Sequence, residues 1–594
     1  MKINFHNKIA FILLLTASQI AVAQKKDENI GTEVVNVVKP YTPTISDAFK
    51  VKETPVLEDE DNTKKEDIKY NIFSFPVAST FTPSKGRAAG VDKTAEERLF
   101  KNYLTLGFGS YASANAELFI TENISDNEYV GGMLRHLSSQ GNIKDVLLDD
   151  KFYDTSLDLT YGNKQDGYSW KADLGYQNQV YNWYGLPQYF GDNLGATDRE
   201  SLIDGIDPQQ TYHNFYIGGK INTVDSFFSE ASIKYNRFWD AYGSAENKFY
   251  VKPVLKFDIG AQRIKTNFSL DYQSTTFEKF YGAQDTSIPN ENTYFSVAAN
   301  PNFQILQDDL TVNLGAEFVY LNIMKNQING LDAGSDSDFY VYPKVTASYK
   351  VVGDIMVAYA GAEGGLQQNS YRDLTNMNPF VSPTLAILPT DSQYDIYFGL
   401  KGKLANTISY NIRGSYLNEK NKALFIANAY TQEATNEDYG FGNSFNVVYD
   451  NIKTISFFGE LKADFSKTVA FGINGTFSSY NTDLQQEAWN LPAIKIGTSL
   501  DIDITSKWFF GANLFFVGER KDFQVDQSFT TIGSDIRTLD SYFDANVNLG
   551  YKYNERLTAF VKANNIANQA YEKWLNYPVQ QFQIMLGASY KFDF

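Results

Sequence analysis

The chain has 594 residues, 70 of them acidic and 52 basic, a formal charge of -18 and no cysteine. The acidity argues against nucleic acid or a phosphate-rich polymer as partner. The missing thiols exclude disulfides, thiolate catalysis and an amino-terminal lipid anchor.

Met1 to Ala23 has the layout of a secretory signal peptide. Lys2 and Lys8 make the positive start, Ile9 to Leu15 the apolar middle, and Ala21-Val22-Ala23 the cleavage site, with Ala21 and Ala23 as its small residues. The apolar run is too short to span a bilayer, and no longer one follows, which excludes an α-helical membrane protein. Residues 24–67 are charged, Pro-containing and weakly patterned, with the acidic run Glu58-Asp59-Glu60-Asp61, and predict an extended or disordered periplasmic arm. Within the arm Thr32-Glu33-Val34-Val35-Asn36-Val37-Val38 is β-prone and suited to adding as a strand to a partner's sheet edge. Arg87 to Phe100 has some helical character, enough for a short segment in a barrel mouth and too little to fill a wide lumen.

From Lys101 onward the apolar period is two. Trp170, Ala172, Leu174 and Tyr176 alternate with Lys171, Asp173 and Gly175, and the same pattern recurs at Ile264–Tyr272, Leu310–Tyr320, Ile494–Ile502 and Phe543–Tyr551. Short polar turns, among them Gln307-Asp308-Asp309, Gly353-Asp354 and Ser466-Lys467, take turns with long connections such as 185–210, 282–291, 327–338, 373–390, 430–442 and 524–535. This sorting, together with aromatic residues at 15% of the chain, predicts an all-β transmembrane antiparallel barrel over 68–594, with short periplasmic turns, long extracellular loops and interfacial aromatic girdles. The count is about 22 strands, with 20 the alternative. About 21 are counted directly. The last is supplied by Ile68–Thr80, by a split of Asn102–Thr121, or by a hairpin at Asp450-Asn451.

The final strand places Phe582, Ile584, Leu586, Ala588, Tyr590, Phe592 and Phe594 on one face. Tyr590, Phe592 and the terminal Phe594 are the expected signal for outer-membrane barrel-insertion machinery, and outer-membrane lipids are the expected surroundings. The strand must descend, so the loops face outward.

Candidate chemistry is sparse. His136 lies close to Ser138 and Ser139, and His213 begins a strand, but neither shows the orienting acid that a nucleophilic site needs. No cofactor motif is present, and the chain is read as a non-enzyme. Asp332, Asp336 and Asp338 in LDAGSDSDF offer oxygen ligands of the kind calcium takes, at a spacing that no EF-hand uses.

The carboxy-terminal region, Leu557–Ala563, Asn564-Asn565-Ile566-Ala567-Asn568, Tyr571, Tyr577-Pro578 and the last strand, resembles the end of TonB-dependent receptor barrels. GFGSYASANAELFI (Gly107–Ile120) and LRHLSSQG (Leu134–Gly141) resemble a plug-lacking branch of the Bacteroidetes. The resemblance implies a surface receptor for a bulky ligand, and it makes Thr32–Val38 the candidate TonB box, with TonB or a surface lipoprotein as partner. Such receptors carry a folded amino-terminal plug several times longer than the about 44 residues between leader and first candidate strand here. The departure supports an alternative role as an accessory barrel in an outer-membrane secretion or assembly complex.

Overall fold

The computed structural model describes residues 99–594 except 225, 260–261, 282–288, 326–333, 430–436 and 527–532. The leader with Ala21 and Ala23, the arm with Thr32–Val38, Ile68–Thr80 and Asp332 lie outside the described residues.

Twenty-two strands form one antiparallel sheet. The first are β1 (Asn102–Gly109), β2 (Ser113–Ser125), β3 (Glu128–Ser139), β4 (Phe152–Lys164), β5 (Tyr168–Asn182), β6 (Gln209–Thr223) and β7 (Phe228–Asp240). Next come β8 (Ala245–Ile259), β9 (Gln262–Phe277), β10 (Asn290–Gln307), β11 (Leu310–Lys325), β12 (Gly334–Val352), β13 (Met356–Gln367) and β14 (Thr390–Ala405). The ring continues through β15 (Ile408–Ala427), β16 (Phe445–Ser466), β17 (Val469–Thr482), β18 (Ile494–Asp503) and β19 (Trp508–Val517). Two smaller ladders stand outside it: β20 (Arg520–Asp526) with β21 (Gly533–Leu539), and β24 (Glu572–Trp574) with β25 (Tyr577–Pro578). The ring resumes at β22 (Tyr542–Lys552), β23 (Leu557–Asn564) and β26 (Gln583–Phe592). β1 pairs with β26 from Asn102↔Phe592 to Gly109↔Met585, which closes the barrel and leaves no free sheet edge.

Every connection at the end that holds the carboxy-terminus has two to four residues, whereas those at the other end reach 26. The stretch 102–121 does divide in two, at Ser110-Tyr111-Ala112. Tyr111 and Ala112 both have positive φ (59° and 45°), held by Gln140 N–H and Ser139 Oγ, which donate to the Tyr111 carbonyl. The predicted hairpin at Asp450-Asn451 is corrected: β16 runs unbroken for 22 residues from Phe445 to Ser466. Asp450 marks a loop anchor there, because its carboxylate accepts the backbone N–H groups of Asp483, Leu484 and Gln485. Within the predicted loop 524–535, Gln524–Asp526 and Gly533–Asp535 are paired strand in the β20–β21 ladder.

Alternation delivers two different faces. Leu106, Phe108, Leu134, Leu157, Ile217, Ile233, Phe398, Ile412, Phe457 and Leu586 are exposed on the outside, an apolar belt that only lipid covers favourably. The inside carries ion pairs between neighbouring strands, such as Arg135–Asp158 (2.9 Å) and Lys344–Glu317 (3.1 Å).

Some inward aromatic residues lie along the wall. Six sit directly opposite a glycine on the adjacent strand: Tyr129↔Gly162, Tyr216↔Gly175, Tyr397↔Gly361, Tyr359↔Gly399, Phe509↔Gly550 and Phe560↔Gly587. In each pair the ring lies flat where a side chain would stand. A Cβ added to Gly550 would be 2.0 Å from Phe509, and one on Gly587 would be 2.3 Å from Phe560. Ring and glycine complete one another, since the ring covers backbone that glycine leaves bare and glycine makes room for the ring. Part of the Tyr and Phe surplus therefore belongs to the inner wall as well as to the outer girdles.

Candidate functional site

Six of the largest fully buried side chains lie among the long connections and the strand ends beneath them: Trp183, Phe190, Tyr371, Tyr439, Phe445 and Tyr577. They come from loops distant in sequence. Asn443 Nδ2 donates to the Trp183 carbonyl at 2.9 Å, and Trp183 packs against Tyr439 with centroids 5.6 Å apart. Trp183 follows β5, while Tyr439 and Asn443 lie between β15 and β16. Ten of the 22 strands separate these connections, so they start nearly diametrically opposite and meet across the mouth.

Tyr577 is the centre of this cap. Its ring stacks on Phe380 (3.9 Å, 25°), contacts Tyr184 at 4.7 Å and Phe445 at 5.7 Å, and its hydroxyl donates to the Asn443 carbonyl. The Tyr184 hydroxyl donates to the Pro578 carbonyl at 2.9 Å. Gly185 admits the ring, because a Cβ there would be 2.0 Å from it.

A second anchor comes from the connection 368–389. Its helix α2 (Tyr371–Met377) follows α1 (Ala196–Asp204) in chain order, and Ser370 caps it by accepting the Asp373 N–H. The connection leaves the rim between β13 and β14 yet reaches the inner face of β6 to β9. There Tyr371 is fully buried against Tyr212, Phe238 and Phe277, with centroids at 6.3, 5.2 and 5.0 Å. Its phenol donates to Asp240 Oδ2 at 2.7 Å and its backbone N–H to Glu246 Oε2 at 2.6 Å.

The third anchor is Asp522 on β20. It is fully buried and accepts N–H groups from Ala427, Asn490 and Phe523 at 3.0, 2.9 and 2.7 Å. Burial pushes its carboxyl up to about 6; the hydrogen bonds and the Arg520 guanidinium oppose that rise. Arg520 in turn donates to the carbonyls of Glu572 (2.6 Å) and Lys573, tying the hairpin to the β24–β25 segment. Burial also raises Asp150, Asp438 and Glu572.

The residues singled out by sequence fall elsewhere. His136 faces outward with Leu134, its ring nitrogens bonded to Thr155 Oγ1 (2.8 Å) and Ser138 Oγ (3.0 Å). Ser139 instead bonds the Tyr111 carbonyl, so the two serines do not act together. His213 is also outward. It is bonded to Tyr176 Oη (2.8 Å) and stacked on Trp239 (5.0 Å), as part of the aromatic girdle at the loop end. Asp336 and Asp338 stand on β12 rather than in a loop, two residues apart, opposite Ile323 and Leu321. Tyr590 and Phe592 stack outward at 6.1 Å, and Phe594, 82% exposed, meets Phe592 edge-on at 5.4 Å.

No family model matches the sequence, and no curated protein matches it. Solved structures do. The ferric-catecholate import receptor Fiu of E. coli is 11% identical, with a TM-score of 0.59 over 83% of this chain and 81% of that one. The ferripyoverdine receptor of the Pseudomonas aeruginosa outer membrane is 12% identical, with a TM-score of 0.60 over 84% and 72%. The copper transporter OprC is 10% identical, with a TM-score of 0.61 over 83% and 82%. At such identities the likeness establishes the fold alone: a closed 22-stranded antiparallel barrel. With its lipid-facing belt, the chain is a multi-pass barrel of the outer membrane.

Proposed function

We propose that this barrel is a surface receptor of the TonB-dependent kind, which binds a bulky ligand at its outer end and admits it past a cap made of its own loops. The observation that carries this reading is the meeting of loops from opposite sides of the rim through fully buried contacts at Trp183, Asn443 and Tyr577. A cap of that kind suits a gated or closed mouth better than a general pore, and import receptors share the fold. Thr32–Val38 would then be the strand that TonB grasps.

Planar-bilayer recording tests the cap. The wild-type protein should be nearly silent, and replacement of residues 369–388 by a short Gly-Ser linker should give large steady conductance. A wide-open wild-type pore would end the gated reading. Deleting Thr32–Val38 should abolish energised uptake and TonB binding; if both persist, the TonB assignment fails.

The same cap favours a second reading, because a well-packed outer surface also suits docking of a protein. Co-purification under mild detergent separates the two. A stoichiometric complex with secretion or assembly components supports the accessory barrel, whereas a ligand-binding surface lipoprotein supports the receptor.

A further inference from the structure

The loop-side ends of β6 to β9 form a box on the inner wall. Tyr212, Phe238 and Phe277 make its walls, and Asp240 and Glu246 stand at two of its corners, all five at most 6% exposed. Neither carboxylate has a Lys or Arg ion-pair partner among the described residues. Lys248 on β8 makes its ion pair with Asp373 at 3.9 Å and acts on Glu246 only through space. Both acids therefore rely on neutral donors. Asp240 accepts from Gln210 Nε2, Tyr242 N–H and Ser244 N–H besides the Tyr371 phenol, and Glu246 from Thr275 Oγ1 besides the Tyr371 N–H. Gln273, fully buried beside them on β9, donates to the Asn369 carbonyl while its Oε1 finds no donor among the described residues. Buried carboxylates left with neutral donors are better served by a cation.

The occupant is the chain's own Tyr371, from a connection that starts four to seven strands away around the rim. Its backbone nitrogen, Cα, Cβ and phenol ring reproduce the skeleton of an arylethylamine, with nitrogen on Glu246 and hydroxyl on Asp240. We propose that this box is a binding site for a phenolic ethylamine group and that Tyr371 is its resident surrogate. An incoming ligand with that group would place an ammonium where Tyr371 offers a neutral N–H, giving Glu246 a direct ion pair in place of the through-space influence of Lys248, and would release the α2 connection from the wall. The group occurs in free tyramine-type amines and in peptides beginning with tyrosine. The inference deepens the receptor reading by naming a ligand class, and it rests on the α2 connection being displaceable.

The test is calorimetric titration of the full-length protein and of Tyr371→Ala in detergent with four probes: tyramine, p-cresol, N-acetyltyramine and the tripeptide Tyr-Gly-Gly. Y371A should bind tyramine at least tenfold more tightly than the wild type, and at least tenfold more tightly than p-cresol or N-acetyltyramine, which lack the ammonium. Tripeptide binding equal to that of tyramine would assign peptides as the source, and tyramine binding alone would assign free amines. Equal tyramine affinity in Y371A and wild type, or p-cresol binding as well as tyramine, would overturn the proposal. If Y371A does not assemble, Tyr371→Phe keeps the ring seated while freeing Asp240. It should gain at least threefold for tyramine, and no gain would equally overturn the proposal. Binding is read without passage through the barrel, so failure of the receptor reading in bilayers would leave this result distinct.

Discussion

Truncating Tyr577 should open the cap without opening the barrel. Tyr577→Ala removes a ring that is 1% exposed and stacked between Phe380, Tyr184 and Phe445, a loss of the kind that costs about 3–5 kcal/mol. The Asn443 carbonyl also loses its phenol donor, which adds about 1 kcal/mol. At roughly 1.4 kcal/mol per factor of ten, the population with an opened cap should rise by at least ~100-fold. The strand ladder is untouched, so the barrel should keep its heat-modifiable migration. The chain contains no cysteine, so one introduced at Ser444, fully buried beside Asn443, reports alone. Thiol labelling at Ser444→Cys should accelerate at least ~100-fold in the Tyr577→Ala background. An increase below tenfold would refute the assignment of Tyr577 as the centre of the cap. Loss of heat-modifiability would refute the separation of cap from barrel.

Other perturbations probe the wall, the acids and the terminus. Gly550→Ala should destabilise the barrel by about 1–3 kcal/mol through its clash with Phe509. Combining it with Phe509→Ala should be less costly than the sum of the two, and additive denaturant midpoints would contradict the paired account. Asp522 should make the cap less stable as pH rises. Its carboxyl titrates near 3.8 when unfolded and at about 6 when folded, so the folded state holds the extra proton between those values. The contribution is fully present below pH 4 and lost by pH 6 to 7, about 3 kcal/mol in all, and Asp522→Asn should flatten that slope in hydrogen exchange of Ala427 and Phe523. Deleting Phe594 should cut the yield of assembled protein in cells severalfold. The refolded protein should keep its thermal transition, because an exposed ring with one edge contact adds little stability. A lowered transition would assign the terminus a packing role instead.

The strands were legible because each is a local pattern: Phe582 to Phe594 or Leu310 to Tyr320 states its faces in a dozen residues. The sorting of turns by length followed from the same pattern, whereas the direct count stops at about 21 strands and reaches 22 through the even number usual in bacterial barrels. The Gly–aromatic pairs could have been found one step later, since Gly550 opposite Phe509 needs only the register of neighbouring strands. The cap was not legible. Tyr577 meets Asn443 across 134 positions and Tyr371 meets Asp240 across 131, and no periodicity links residues joined only by the ring's closure. Asp450 reads in sequence as a hairpin turn and Asp522 belongs to no motif, because their work is to accept N–H groups from other connections. The histidines drew attention by rarity, yet His136 and His213 both face outward with polar partners in the wall.

A ring of hinged staves resists stretching along its circumference far better than it resists being squeezed into an ellipse. The contact of the Trp183 connection with Asn443 and Tyr439 runs between nearly opposite stations of the rim, like a chord fixed across a hoop. So braced, the wall cannot widen the passage by breathing out of round. Any widening along that chord has to begin with its release, and the force needed is then set by a few loop contacts and not by the 22 strands around them.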